Sequence, residues 1–559
     1  MVRRILKSLS APVRGLHQAA YLLAALTLAS QVLALLRDRL FAHQFGASST
    51  LDLYYAAFKI PDVVFALVAS LVSAYVLIPR IAKADTAHAR KLISECASFL
   101  IIAGGIICVV IAIFAPELLH LLFPTLSMGS HEADFVLLTR LLLIQPILLG
   151  LSGILTSVTQ IHRRFVLFAL SPVLYNVGII AGTVFLYPRY GIPGIGIGVV
   201  LGAIAHLAIH IPIVVDAGLF PRPSVPTPKL MWSVIKDSVP RSLALGMSSV
   251  ITLLLISLAS RVSEGSVAVY TLASNLEAVP LSLIGASYAT AAFPVMTQMM
   301  SENRLEAYKT TLTAAARHII FWSAVITVLT IVLRAYIVRV IYGTGAFDWN
   351  DTRLTAAVLA ILVVGLMAQG LILLSARAFY AAQRSWNPLL VQLADCGISV
   401  LAAWGMLNLA TNVPMVRYFV ESLFRVGDVP GTSVLFIALG ATVGQVIMGT
   451  VALGTLRTVA KGVAESLTRP MFEGFGAAIL GGAASYGVLS FMGTLAPLTT
   501  LPSVFLEGAV AGMVGLAVAG CVLSLLENQE FRDLSESLRR LTTKALSPHG
   551  AINDHADIS

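Results

Sequence analysis

The chain predicts an all-α, polytopic membrane protein with about fourteen transmembrane helices. Three observations carry that expectation. About fourteen separate apolar stretches run through the sequence, each near the ~20 residues a helix needs to cross the hydrocarbon core of a bilayer. Hydrophobic residues make up 57% of the chain and charged residues 12%, whereas a soluble protein carries about a quarter charged residues. Stretches such as Phe99–Phe114 and Val510–Leu526 are apolar nearly all round, not along the single stripe of a soluble amphipathic helix. The short alternating segments of a transmembrane β-barrel are absent.

In chain order the spans are expected at 19–36, 51–79, 92–115, 135–158, 164–187, 192–215, 239–260, 267–296, 312–342, 354–383, 386–409, 432–456, 470–493 and 503–526. Before the first, MVRRILKSLSAPVRGL is basic and only weakly apolar. It reads as a cytoplasmic amphipathic segment on anionic lipid, not as a cleaved signal peptide. Positive loops stay cytoplasmic, and Lys and Arg collect in every second loop: Arg80, Lys83, Arg90 and Lys91; Arg163 and Arg164; Arg222, Lys229 and Lys236; Arg304 and Lys309; Arg384; Arg457, Lys461 and Arg469. The C-terminal tail adds Arg532, Arg539, Arg540 and Lys544. Both termini are therefore expected in the cytoplasm, which requires an even number of spans. This topology accounts for the net charge of +9, and nothing points to nucleic acid. The four cysteines, Cys96, Cys108, Cys396 and Cys521, fall inside apolar stretches with no paired spacing, so neither a disulfide framework nor a zinc site is expected.

The longest proline-rich connection, LFPRPSVPTPK from Leu219 to Lys229, follows six spans and looks like a linker between two lobes. The expected organisation is a basic segment at 1–18, an N-lobe at 19–218, a linker at 219–238, a C-lobe at 239–460, two further spans at 461–527 and a cytoplasmic tail at 528–559. A weak internal repeat supports the division. The second span contains Pro61 and closes with Pro79; the eighth contains Pro280 and closes with Pro294. Proline-interrupted spans in corresponding halves point to a transporter's central site, although prolines also serve helix packing in membranes.

Charges inside spans cost ~2.5–3.5 kcal/mol each near a helix centre and usually face a wet interior. The densest set lies between the first two spans: Arg37, Asp38 and Arg39, then Asp52 and Lys59 within LDLYYAAFKIPD. They fit a polar, partly cationic pocket at the outer mouth of a cavity; the alternative is a structural ion-pair cluster clamping two helix ends. Asp395 shares one face of the eleventh span with Gln392 and Ser399, by spacings of three and four. A cation site is one reading, since hard cations take carboxylate and amide oxygens; a hydrogen-bonded structural aspartate is the other. Walker-type GxxxxGK, HExxH and GxSxG motifs are absent, so no enzyme and no cofactor is expected. Energy for transport would come from an ion gradient, the membrane potential or the substrate's own gradient.

The segment LLRDRLFAHQFGASSTLDLYYAAFKIPD, from Leu35 to Asp62, resembles the opening signature of the MurJ (MviN) lipid II flippases. Three more segments agree: RRFVLFALSPVLYNVGII from Arg163, YGTGAFDWNDTRLTAAVL from Tyr342 and ARAFYAAQRSWNP from Ala376. The resemblance covers nearly the whole chain. It implies a member of the multidrug/oligosaccharidyl-lipid/polysaccharide exporter superfamily, with two six-helix lobes around a central cavity and the last two helices forming a groove for a lipid tail. The implied cargo is the undecaprenyl-diphosphate-linked peptidoglycan precursor, moved across the bacterial inner membrane by alternating access. Anionic lipids and cell-wall synthesis proteins are the other expected partners. The implied cavity residues are Arg37, Asp38, Asp52 and Lys59, with Gln31 and Asn275 as neutral hydrogen-bonding groups.

Several positions depart from the family pattern. Gln31 follows Ser30 where the pattern has Ser-Arg, Phe65 stands at an expected arginine, and Ser70 at an expected glutamate. In the eighth span Ser274-Asn275 replaces Asp-Arg, and Ala278 aligns with a glutamate although Glu277 lies beside it. Each exchange of a charge-assisted for a neutral bond forfeits on the order of 1 kcal/mol of headgroup attraction. Two alternatives therefore stand beside the flippase: an exporter of another lipid-linked glycan or amphiphile, and a transport-inactive membrane scaffold for cell-wall assembly.

Overall fold

The computed structural model describes residues 16–532, apart from 73, 129–130, 461, 464 and 494–499. The expected basic segment lies, up to residue 15, outside the described residues, as does the tail beyond Arg532. The fold is all-helical, with no strand among the described residues. Its long helices are α1 (Leu16–Phe45), α2 (Ser49–Ile81), α3 (Thr86–Ile113), α4 (Glu132–Ile161), α5 (Phe165–Tyr190), α6 (Ile192–Asp216) and α7 (Pro228–Ser260). They continue with α8 (Ser266–Ser301), α9 (Leu305–Ile341), α10 (Trp349–Ala381), α11 (Trp386–Asn412), α12 (Val434–Leu456), α13 (Thr468–Met492) and α14 (Leu501–Leu525). Thirteen of them, α2 to α14, are long and apolar enough to cross a membrane among the described residues. Helix α1 covers the first expected span but is not among the thirteen.

Most expected spans coincide with these helices to within a few residues. The larger departures are α1, which ends at Phe45, nine residues past 36, α9, which starts at Leu305, seven before 312, and α7, which starts at Pro228 although its membrane-spanning part, Ser238–Ser260, matches the expected 239–260. Proline suits a helix's first turn, where its missing N–H would have no intrahelical acceptor, so the linker closes earlier than its composition implies. Its extended part is strapped to α3: the Arg222 and Ser224 amides donate to the Ser94 and Ser98 hydroxyls (3.0 and 3.2 Å), and the Thr227 amide and hydroxyl donate to Glu95 (2.8 and 2.9 Å). Both proline-bearing helices singled out above are interrupted. A 3₁₀ turn, Ala69–Val72, follows Pro61 in α2, and a π turn, Ser282–Ala286, begins two residues after Pro280 in α8. All four cysteines are free.

The chain forms two compact units. The first takes described residues within Met1–Val279, Ile341–Leu362 and Arg384–Met448; the second takes those within Pro280–Val340, Val363–Gln383 and Gly449–Ser559. In the first, α5 and α6 meet through glycines. A Cβ on Gly178 would fall 2.3 Å from the Gly202 Cα, and one on Gly198 would fall 2.4 Å from the Gly182 Cα. Small residues let membrane helices approach backbone to backbone, where no hydrophobic drive separates helix from lipid. In the second, α13 and α14 approach in the same way at Gly481 and Gly515. There the start of the tail is tied down as well: Asn528 donates to Glu473 (2.8 Å) and Glu530 pairs with Arg317.

Gly198→Val is expected to cost about 1–3 kcal/mol of stability through overpacking and to lower the melting temperature in detergent. Gly153→Ala, where an added Cβ meets nothing within 4 Å, should leave it unchanged or slightly raised. Equal melting temperatures for the two variants would contradict the close α5–α6 contact.

Candidate functional site

Helix α1 carries Arg37 and Asp38 eight and seven residues before its end at Phe45. The Arg37 guanidinium donates to the Asp38 Oδ1 from Nε (3.0 Å) and Nη2 (2.7 Å). Its Nη1 donates to the Asn176 Oδ1 on α5 at 2.9 Å. Asn176 is itself fixed, donating to the Pro172 carbonyl (3.0 Å) one turn earlier in the same helix. From α8, Asn275 donates to the free Asp38 Oδ2 at 2.9 Å. Three helices thus hold one ion pair, and Asp38 is only 2% exposed. Of the five N–H groups of a guanidinium, three are used in these bonds, which leaves two for a further acceptor such as a phosphate or carboxylate.

Asp52, 1% exposed, does not join this network. Its two carboxylate oxygens accept from the Gly265 and Ala268 amides, both at 2.7 Å. One amide stands just before α8 and the other in its first turn, where N–H groups have no acceptor inside the helix, and the carboxylate also meets the positive end of the helix dipole. The exchange is reciprocal: Glu264, just before α8, accepts from the Ser49 amide at the start of α2 (3.0 Å). Gly265 has φ +81°, and a Cβ there would fall 2.3 Å from the Ala47 carbonyl oxygen, so both the turn and the close approach need glycine.

The α1–α2 turn is held from a second side. The Ala346 amide donates to the His43 carbonyl (2.9 Å), and the Ala47 amide to Asp351 Oδ2 (3.1 Å). Gly46, also at positive φ, has its open side against the Ala346 carbonyl. The FGA turn and the YGTGAFD segment, 300 residues apart, are therefore one structural joint, and Arg39 adds a bond to the Ile341 carbonyl (3.1 Å).

The other singled-out residues lie apart. Lys59 is half-buried on α2 with Asp62, one turn on, as its charged neighbour. Gln31 is exposed on α1, seven residues before Asp38 and so on the same helical face. Asp395 is buried on α11, where it accepts from the Ser399 hydroxyl at 2.8 Å. Among the described residues no three His, Cys, Asp or Glu side chains come together as a metal site. Sequence reasoning did not single out Asn176, Glu264 or Asp351. For Asn176 a signal existed: an amide inside an apolar span, one turn after a proline.

The family model described as Lipid II flippase MurJ matches residues 41–505. The chain belongs to this family. A lipid II flippase MurJ of Burkholderia cenocepacia is 25% identical over 387 residues, 67% of this chain and 75% of its own. A probable lipid II flippase MurJ of Vibrio cholerae is 24% identical over 517 residues, 86% of this chain and 97% of its own. Among solved structures, a lipid II flippase MurJ in an inward closed conformation superposes with TM-score 0.70 at 20% identity, covering 91% of this chain and all of its own. An inward-facing multidrug-resistance transporter of the MATE family gives 0.62 at 16% identity, covering 79% and 99%. The expected family and all-helical membrane fold are thereby borne out; MurJ and MATE transporters share this architecture.

Asp52→Ala leaves two helix-start amides without their charged acceptor, a loss on the order of 2 kcal/mol. The variant should melt at a clearly lower temperature than the parent, with Asp52→Asn, which keeps one acceptor, in between. A parent-like melting curve for Asp52→Ala would show that this junction contributes nothing to stability.

Proposed function

We propose that the protein is a flippase for lipid II, moving the undecaprenyl-diphosphate-linked peptidoglycan precursor from the cytoplasmic to the periplasmic leaflet of the bacterial inner membrane. The observation that carries this reading, in a chain of the MurJ family, is Arg37 held by Asp38 and Asn176 with N–H groups to spare inside the helix bundle. A diphosphate bearing sugars and peptide cannot enter hydrocarbon without replacing its water, while the polyprenyl tail is at home there. Arg37 would meet the diphosphate, Lys59 would supply a second cation, and Gln31 and Asn275 would hydrogen-bond phosphate or sugar. Asp38 positions Arg37, and Asp52 sets the junction of α2 with α8.

With both termini in the cytoplasm, as the positive loops favour, the contacts of Asp52, Ala47 and Gly46 lie at the periplasmic ends of their helices. Alternating access then requires them to part for release. The basic loops would rest on anionic lipid, and the two tails would offer docking segments to cell-wall synthesis proteins. Asp395 is the proposed cation-coupling residue.

A second reading has a specific observation behind it. Arg37 is matched by Asp38 and Lys59 has Asp62 beside it, while Phe65, Ser70 and Asn275 stand where the family pattern has charges. A less anionic lipid-linked glycan or other amphiphile would suit such a lining.

Complementation separates these readings. If lipid II is the cargo, the gene rescues cells depleted of their own lipid II flippase, and Arg37→Ala or Lys59→Ala abolishes rescue at normal protein levels. Another cargo or a transport-inactive scaffold predicts no rescue by the parent, and a scaffold's own function would survive both substitutions but be lost on truncation of its tails. For Asp395, sodium- or proton-dependent thermal stability should vanish in Asp395→Asn, and an unchanged ion response rejects the coupling role.

A further inference from the structure

Between α11 and α12 the chain forms an eleven-residue helix, Pro414–Phe424, with the sequence PMVRYFVESLF. It takes no part in the proposed site. One side of it is fixed to the protein. Val420 and Glu421 are buried; the Arg417 Nε donates to Glu421 at 2.8 Å, and the Thr432 hydroxyl donates to the same oxygen. At its end Arg425 adopts the left-handed conformation, φ +56°, and its carbonyl accepts from Arg353, whose guanidinium also grips Asp428 at 2.6 and 2.7 Å.

The opposite side is apolar and uncovered. Met415 is 81% exposed, Tyr418 68%, Phe419 67% and Leu423 62%. Offsets of three, four and eight residues put all four on one helical face, with Ser422 the one polar residue among them. A connecting helix that faced water would carry charges there, and both charged residues of this helix, Arg417 and Glu421, pair with each other on the anchored side instead. A contiguous exposed apolar patch of this kind marks a membrane or protein contact.

Continuity with α11 decides which. The helix starts two residues after α11 ends at Asn412, and exposed apolar residues of this membrane span, Trp404 and Leu409, are followed by the exposed polar Thr411 and Asn412 and then by exposed Val413 and the connecting helix, the order expected where a span reaches the membrane interface. We infer that Pro414–Phe424 lies flat in the membrane interface, its Met415–Tyr418–Phe419–Leu423 face set among the acyl chains. The partner is the lipid bilayer, with the Tyr418 ring in the belt where aromatic residues with a polar tip collect. The helix would then tether the adjoining end of α11 to one bilayer surface. By the orientation proposed above this is the periplasmic surface; the interfacial placement itself does not depend on that orientation or on the cargo.

Site-directed spin labelling in phospholipid vesicles tests this on the full chain, with the four native cysteines replaced. Labels at Phe419→Cys and, as a second position, Met415→Cys should be accessible to oxygen, which partitions into lipid, and at least fivefold less accessible to a water-soluble nickel chelate than a label at Asp428→Cys. Nickel accessibility at 415 and 419 equal to that at 428 would overturn the inference in favour of a water-facing helix. Spin–spin broadening at 419 that disappears on dilution with unlabelled protein would overturn it in favour of contact between two copies.

Discussion

Two acids, the buried Asp52 and the exposed Glu264, hold together helix starts that are 213 and 215 residues apart in the chain. A helix start inside a bilayer protein has amide groups that neither water nor its own backbone satisfies. At Asp52 the desolvation of a buried carboxylate and the orphaned donors at the start of α8 offset each other, while Glu264 binds the Ser49 amide of α2 from the exposed side of the joint. The glycines at 46 and 265 follow from this arrangement, because only a backbone without side chains reaches so close.

The ion pair on α1 differs from a bare cationic pocket. Arg37 is compensated by Asp38, and Asp38 is divided between a guanidinium and an amide. Such a pair attracts an anion weakly at long range, since its net charge is near zero, and strongly at contact, through N–H groups already aimed by Asn176. Loss of arginines elsewhere therefore removes field more than it removes direction. A headgroup would be recognised by where its oxygens lie, not by total charge.

Much of the architecture was legible in the residues. Bilayer-crossing length, scarcity of charge and the alternation of basic loops are local properties, and the helices from α2 to α14 follow them closely. The four motif segments also identified the family. The seventh span itself was placed within a residue, but the helical turns before it were read as linker because of the proline content of 219–229, while Pro228 serves equally well as a first helical residue. Asn176 passed unnoticed because one amide in an apolar run has no fixed meaning until its partner is known.

Residue order alone determined the membrane class, the run of spans and the residues whose burial as charges demanded an explanation, because hydropathy and covalent spacing need no partner to be read. The folded chain decided what each charge does: Asp52 caps a distant helix, Asp38 aims Arg37, and Asp395 binds the serine one turn away. Those roles depend on which helices lie side by side, and hydrogen bonds act over about 3 Å, a scale on which neighbours along the sequence and neighbours in space are different sets.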